Sequence, residues 1–242
     1  MLVTGASRGI GAAAARAFAQ RGDRVAVHYG ASRERAQAVL DSLAGDGHAL
    51  AGADLTDAEA VRAMVDGAAA ALGGAIDVLV NNAGIVAPHE IDETSYEDWQ
   101  RAWRDVLAVN LTGAANVTWC AVRHMGRGGR IVNVSSRGAF RGEPGQPAYG
   151  ASKGGLNSFG QSLALALGSH GIAVTTVAPG FVDTEMAAER VHGPDGAEVR
   201  SQSPFGRIAQ PGEIAAAVLY LSEAEWASGT IVDLNGASYL RP

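Results

Sequence analysis

Tyr149 and Lys153 stand four residues apart. On a helix that spacing puts a phenol and an ammonium on one face, about 6 Å apart along the axis. A free tyrosine ionises near pH 10, so proton exchange close to neutrality needs a shift of about 3 units, or roughly 4 kcal/mol of differential stabilisation. An adjacent ammonium supplies stabilisation of that kind. Ser136 closes the run Ile-Val-Asn-Val-Ser-Ser, residues 131–136, where a hydroxyl at a strand end can hold a carbonyl oxygen beside the phenol. Asn110 interrupts an apolar periodic stretch and could organise a water between lysine and solvent. Singly, these residues also read as an amphipathic surface pair, a turn hydroxyl and a locally bonded helix residue. Together they describe proton transfer to or from a carbonyl or alcohol oxygen.

A second constellation lies at the start of the chain. Thr-Gly-Ala-Ser-Arg-Gly-Ile-Gly, residues 4–11, falls between a short apolar strand and an apolar-periodic helix, where free backbone N–H groups and the positive helix end can receive a pyrophosphate. Gly5 permits the turn, Gly9 close approach and Gly11 tight packing. A carboxylate that would bind a ribose diol is expected about 20 residues later, but the chain reads His28-Tyr-Gly-Ala-Ser-Arg33 there. Arg8, Ser32 and Arg33 therefore favour a 2′-phosphate, and NADP(H) over NAD(H).

The elements needed to position these groups alternate along the chain. Strands are expected at residues 2–3, 24–29, 49–55, 76–81, 130–135, 172–178 and 230–234. Helices are expected from Ile10 to Gly22, after Ser32 as N-cap, and after a Thr56/Glu59 capping box. Further helices should run from Ser95 toward Met125, from about Tyr149, and from Glu213 to Leu221. About seven strands separated by helices predict a single doubly wound α/β domain over residues 1–242, with a ligand crevice at the strands' C-terminal ends. Residues 185–205, rich in Gly, Ala and polar side chains, are expected to form a substrate lid.

The 242 residues include 32 glycines, 8 prolines and one cysteine, with 47% apolar residues and a formal net charge of −6. An acidic balance argues against nucleic-acid binding, and Cys120 has no partner for an internal disulfide. The six histidines show no metal-ligand spacing, so no metal is expected. No apolar run approaches the roughly 20 residues of a membrane span, and the first residues do not read as a signal peptide, which predicts a cytoplasmic protein.

Taken in order, residues 4–11, Asp54-Leu55, Asn81-Asn82-Ala83-Gly84, Asn110, Ser136, Tyr149-Gly-Ala-Ser-Lys153, Pro179-Gly180 and Thr184 make the chain resemble the short-chain dehydrogenase/reductase family over nearly its whole length. The resemblance implies a Rossmann-type fold. It implies that Tyr149 is the general acid/base, that Lys153 lowers its pKa and binds the nicotinamide ribose, that Ser136 orients the carbonyl and that Asn110 maintains a water-linked proton path. It further implies a cofactor site made of Gly5, Ser7, Arg8, Gly9, Ile10, Gly11, Ser32, Arg33, Asp54, Leu55, Asn82, Ala83, Gly84, Tyr149, Lys153, Pro179, Gly180, Val182 and Thr184. Asp54 would meet adenine, and residues 179–184 the carboxamide and diphosphate. Only Met1 to Val3 precede the glycine turn, so either the strand's upstream part is missing or the sheet tolerates a clipped central strand.

Within the family the chain is most similar to bacterial 3-oxoacyl-(acyl-carrier-protein) reductases, through Arg8, the acid-free second strand, residues 131–136 and Asp233-Leu-Asn-Gly236. An acyl carrier protein would need a basic landing area, for which Arg123, Arg127, Arg130, Arg137 and Arg141 are the sequence candidates, although His170 stands where such reductases often have a second arginine. Phe181, Met186 and Phe205 either meet an acyl chain or pack the lid. The likeness also implies a homotetramer, with Tyr239 facing a neighbour. A reductase of another ketone, alcohol or sugar, and a non-catalytic nucleotide sensor, are the alternatives.

Overall fold

In the computed structural model, which describes residues 1–241, seven parallel strands form one sheet in the order β3-β2-β1-β4-β5-β6-β7. The strands are β1 (Leu2–Val3), β2 (Ala26–Tyr29), β3 (Ala49–Gly52), β4 (Val78–Asn81), β5 (Arg130–Val134), β6 (Ala173–Pro179) and β7 (Ile231–Leu234). β1 is as short as the sequence implies, yet it pairs on both sides, Leu2 with Ala26 and Leu79, Val3 with Val27 and Val80.

Strand alternation divides the core. Leu2, Ala26, Leu79, Ile131 and Val174 form one in-register row facing α3 (Ala58–Ala71) and α5 (Ala114–Val122). Val3, Val27, Val80 and Val132 turn to the other side, toward α1 (Gly9–Gln20) and α9 (Pro211–Leu221). Phe18 of α1 is wholly buried on that side, where truncation to Ala costs about 3–5 kcal/mol. Because every strand runs the same way, the ends of β1, β4, β5 and β6 share one edge. The order reverses between β1 and β4, which opens the crevice there.

Several local expectations need revision. α3 is capped by Asp57, whose carboxylate accepts from the N–H groups of Glu59 and Ala60, whereas Thr56 donates its hydroxyl to Asp54. Ser32 precedes α2 (Arg33–Asp41) without a side-chain cap bond. The single long helix expected from Ser95 is broken into α4 (Tyr96–Leu107), a π-helical turn (Ala108–Gly113) and α5. No proline marks that break. α6 (Pro147–Leu167) carries the tyrosine and lysine, with proline at its first position, where a missing N–H costs nothing. Residues 185–205 contain a 3-10 turn (Glu185–Ala187), α7 (Ala188–His192) and α8 (Gly196–Ser201), anchored by buried Val191 and Val199. No described helix is long and apolar enough to cross a membrane.

Candidate active site

α6 begins beside the end of β5, and its catalytic-type residues are fastened to that strand. Lys153 Nζ donates to the carbonyl of Val134 at 2.8 Å, while Ser135 Oγ donates to the carbonyl of Lys153 at 3.3 Å. Ser136 follows at the strand end. A Cβ built on Gly138 would lie 3.4 Å from Ser136 Oγ and 3.7 Å from Tyr149 Cε1, so hydroxyl and phenol face the same small space. Lys153 is nearly fully buried, its Nζ 5.7 Å from the Tyr149 ring centre.

The electrostatics of this trio differ from the simple pairing that the spacing suggests. Burial pushes the Tyr149 phenol above its ordinary value, the Ser136 hydroxyl pulls it down, and the Glu143 carboxylate pushes it up. Burial alone lowers the Lys153 ammonium to about 8, because the lysine gains a carbonyl partner but no carboxylate.

Asn110 is completely buried in the π-helical turn. Its Oδ1 accepts from Ile85 N at 2.8 Å, and its Nδ2 donates to Ile85 O at 2.9 Å and to Ser152 Oγ at 3.1 Å. Ser152 Oγ in turn donates to the carbonyl of Tyr149 at 2.7 Å. The π turn therefore aims one amide at both the loop after β4 and Ser152 in the second turn of α6, a use of local helix widening common at functional sites. A Cβ on Gly84 would lie 3.3 Å from Asn110 Oδ1 and 3.5 Å from Lys153 Nζ.

The glycine turn is built for close approach. Gly5 and Gly9 have φ of +61° and +55°, and a Cβ on Gly11 would meet Gly5 O at 2.4 Å and Asn82 Nδ2 at 2.5 Å. Thr4 Oγ1 donates to Val80 O and accepts from the N–H groups of Asn82 and Ala83, and Asn82 Nδ2 donates to the carbonyls of Thr4 and Gly5. No side chain caps α1, so its N-terminal N–H groups face the crevice beside Ser7 and Ile10. Such a cradle fits a dinucleotide pyrophosphate. Thr184 touches it: its Cγ2 is 3.2 Å from a Cβ built on Gly9. Pro179 ends β6, Gly180 N donates to Leu234 O, and Val182 is buried against Ala209.

Other predicted residues stand differently. The Asp54 carboxylate is exposed and held low by the backbone N–H and then the hydroxyl of Thr56. Leu55 is buried, packed where a Cβ on Gly113 would come within 2.9 Å. Arg33 is exposed and donates toward Tyr29 Oη at 3.5 Å, and Arg8 is exposed at the mouth of the turn.

Of the five arginines expected as a landing area, Arg123 and Arg127 are exposed, whereas Arg137 and Arg130 are engaged by the protein itself. Arg137 is buried over the Phe181 ring, donating to Ser238 Oγ and Gln202 Oε1, with Glu143 at 3.7 Å. Arg130 is largely covered and pairs with Glu225. Arg123 lies over Trp119. Phe181 packs between Arg137 and Arg190, the latter 3.6 Å from Glu143, whereas Met186 and Phe205 are exposed.

Two histidines escape motif reading. His28 is buried, accepts from Gly5 N at Nδ1 (2.9 Å), bonds Ala53 O through Nε2 (3.2 Å), and is held by burial at about 4. It is the neutral strut linking the glycine turn to the end of β3. His89 accepts from Ala148 N at Nε2 and bonds Ala87 O through Nδ1, fixing the start of α6 immediately before Tyr149. A buried histidine flanked by partners 23 and 59 residues away leaves no periodic signal.

The family model for short chain dehydrogenases matches residues 1–195. The chain belongs to the short-chain dehydrogenase/reductase family. It is 37% identical over 243 residues to the 3-oxoacyl-(acyl-carrier-protein) reductase of Vibrio cholerae, covering 99% of this chain and 96% of that one. It is 36% identical over 254 residues to versicolorin reductase of Emericella nidulans, covering 98% and 94%. A short chain dehydrogenase from Burkholderia cenocepacia, solved in complex with NADP, superposes with a TM-score of 0.88 at 38% identity over 98% of this chain and 96% of that one. As a family member, the protein is an oxidoreductase of alcohol and carbonyl groups.

Proposed function

We propose that the protein is an NADPH-dependent reductase that converts a 3-oxoacyl thioester to its 3-hydroxyacyl product. The observation that carries this reading is the convergence of Ser136 and Tyr149 on one space beside buried Lys153, at the same sheet edge as the glycine turn. The bound dinucleotide supplies the hydride. Ser136 donates a hydrogen bond to the substrate carbonyl oxygen and orients it toward Tyr149. Tyr149 gives its proton to that oxygen as negative charge develops, and Lys153 stabilises the resulting phenolate and would hold the ribose hydroxyls of a bound dinucleotide. Asn110 positions Ser152 and the Gly84 loop, keeping Tyr149 and Lys153 in register.

Arg8 at the N-cap of α1 and Arg33 at the start of α2, with no carboxylate at the end of β2, support the choice of NADP(H). The thioester assignment rests on likeness to the carrier-protein reductases. With Arg137 buried and Arg130 paired to Glu225, docking of an acyl carrier protein on this segment would rest on exposed Arg123 and Arg127. The ion-paired Glu143, Arg137 and Arg190 beside Phe181 favour a second reading, a reductase of a more polar ketone. We further propose that exposed Trp119, Tyr220, Trp226 and Leu240 lie on faces for self-association.

A panel of acyl thioesters, simple ketones and sugars, each with NADPH and NADH and followed by cofactor absorbance, tests these readings. Thioesters should turn over fastest with NADPH. Faster turnover of a polar ketone selects the second reading, and tight NADPH binding without turnover of any carbonyl rejects both.

A further inference from the structure

Glu185, the first residue of the 185–205 segment, does something that neither the motifs nor the proton-transfer reading requires. Its Oε2 lies 2.6 Å from Arg35 Nη1 and 3.7 Å from Arg8 Nη1. The two guanidiniums come from different βα units, Arg8 from the turn before α1 and Arg35 from the first turn of α2, and they converge on a single oxygen. All three side chains are about half exposed, so nothing buried forces the contact. Two like charges brought together by the backbone need an anion between them, and here a carboxylate from the lid supplies it. The preceding residue, Thr184, is already seated against Gly9, which places the chain across the mouth of the glycine turn.

We propose that Arg8 and Arg35 form the anion site for the adenosine 2′-phosphate, that Glu185 fills this site as an internal counterion in the cofactor-free protein, and that NADP(H) must displace it. This inference rests on the NADP(H) reading above and adds Arg35 and Glu185 to it. A phosphate monoester carries up to two charges and three acceptor oxygens, so it outcompetes one carboxylate for two guanidiniums. A 2′-hydroxyl cannot. NADH therefore leaves Glu185 in place, and binding of the phosphorylated cofactor releases the first turn of the lid.

Dissociation constants measured by titration calorimetry for NADPH, NADH, adenosine 2′,5′-bisphosphate and adenosine 5′-monophosphate test this directly. Exposed ion pairs are weak, so Glu185→Gln should tighten NADPH and the bisphosphate by about two- to tenfold and leave NADH and the monophosphate unchanged. Arg35→Gln should weaken only the two 2′-phosphorylated ligands, and in that background the gain from Glu185→Gln should shrink. Hydrogen exchange of amides 185–192 should accelerate when wild-type protein binds the bisphosphate, and should already be fast in Glu185→Gln. If the wild type prefers NADPH and Arg35→Gln removes the preference while Glu185→Gln changes nothing or weakens binding, the counterion role is wrong. If the wild type binds NADPH no tighter than NADH and Arg35→Gln moves neither, the cofactor reading fails with it.

Discussion

The two ends of the crevice solve opposite electrostatic problems. At the proposed proton-transfer end, Lys153 is buried and compensated by one backbone carbonyl, so its charge is expensive and its ammonium is lowered to about 8. At the proposed adenosine end, Arg8, Arg33 and Arg35 are exposed, and the contacts of Arg8 and Arg35 with Glu185 are worth little each. Buried charge is spent where a proton must move. On the proposed reading, exposed charge is used where an anion must arrive, leave and be told apart from a hydroxyl.

The largest effect expected from breaking this contrast is at Tyr149. Tyr149→Phe should lower kcat by roughly a thousandfold or more while leaving the cofactor dissociation constant within about twofold, because only the proton donor is removed. Retention of most activity would show that the phenol is not the acid.

Next in size is a pair of pH-dependent stability changes. Lys153→Met should abolish turnover yet unfold at higher temperature than the wild type at pH 7. The folded-state value of about 8 lies below the ordinary 10.5, so the penalty, roughly 3 kcal/mol at most, is fully present below pH 8 and is relieved as pH rises toward 10.5. Denaturant midpoints of the two proteins should therefore approach one another between pH 7 and 10, and a constant gap would contradict the assignment.

His28 predicts a change of the same sign in acid. Its folded value of about 4 lies below 6.5, so stability is intact above pH 6.5 and is lost as pH falls toward 4, again by roughly 3 kcal/mol at most. His28→Gln should flatten that acid limb in denaturant titrations while weakening the glycine turn's hold on dinucleotides. The smallest change belongs to the exposed end: Arg33→Asp should weaken NADPH about tenfold more than NADH, read as a ratio of dissociation constants.

Much of the architecture was legible because parallel strands bury both faces and helices bury one, and both habits leave a period in the sequence. Element ends were less so. The third strand stops at Gly52 rather than Leu55, and α6 starts two residues before Tyr149. The break of the 95–125 helix into a π turn was invisible, because Ala108, Val109 and Leu111 suit an α-helix equally well. What opens it is Asn110 bonding Ile85, 25 residues away.

The sequence by itself determined the order of strands and helices, the glycine turn and the helical adjacency of Tyr149 and Lys153, since each depends on chain neighbours within a few residues. Tertiary structure alone decided that Arg137 points inward rather than toward a partner, that His28 and His89 brace the two halves of the site, and that Glu185 reaches Arg35 across 150 positions. Those outcomes depend on which surfaces the packed sheet leaves within a few ångströms of one another, and no local spacing encodes that.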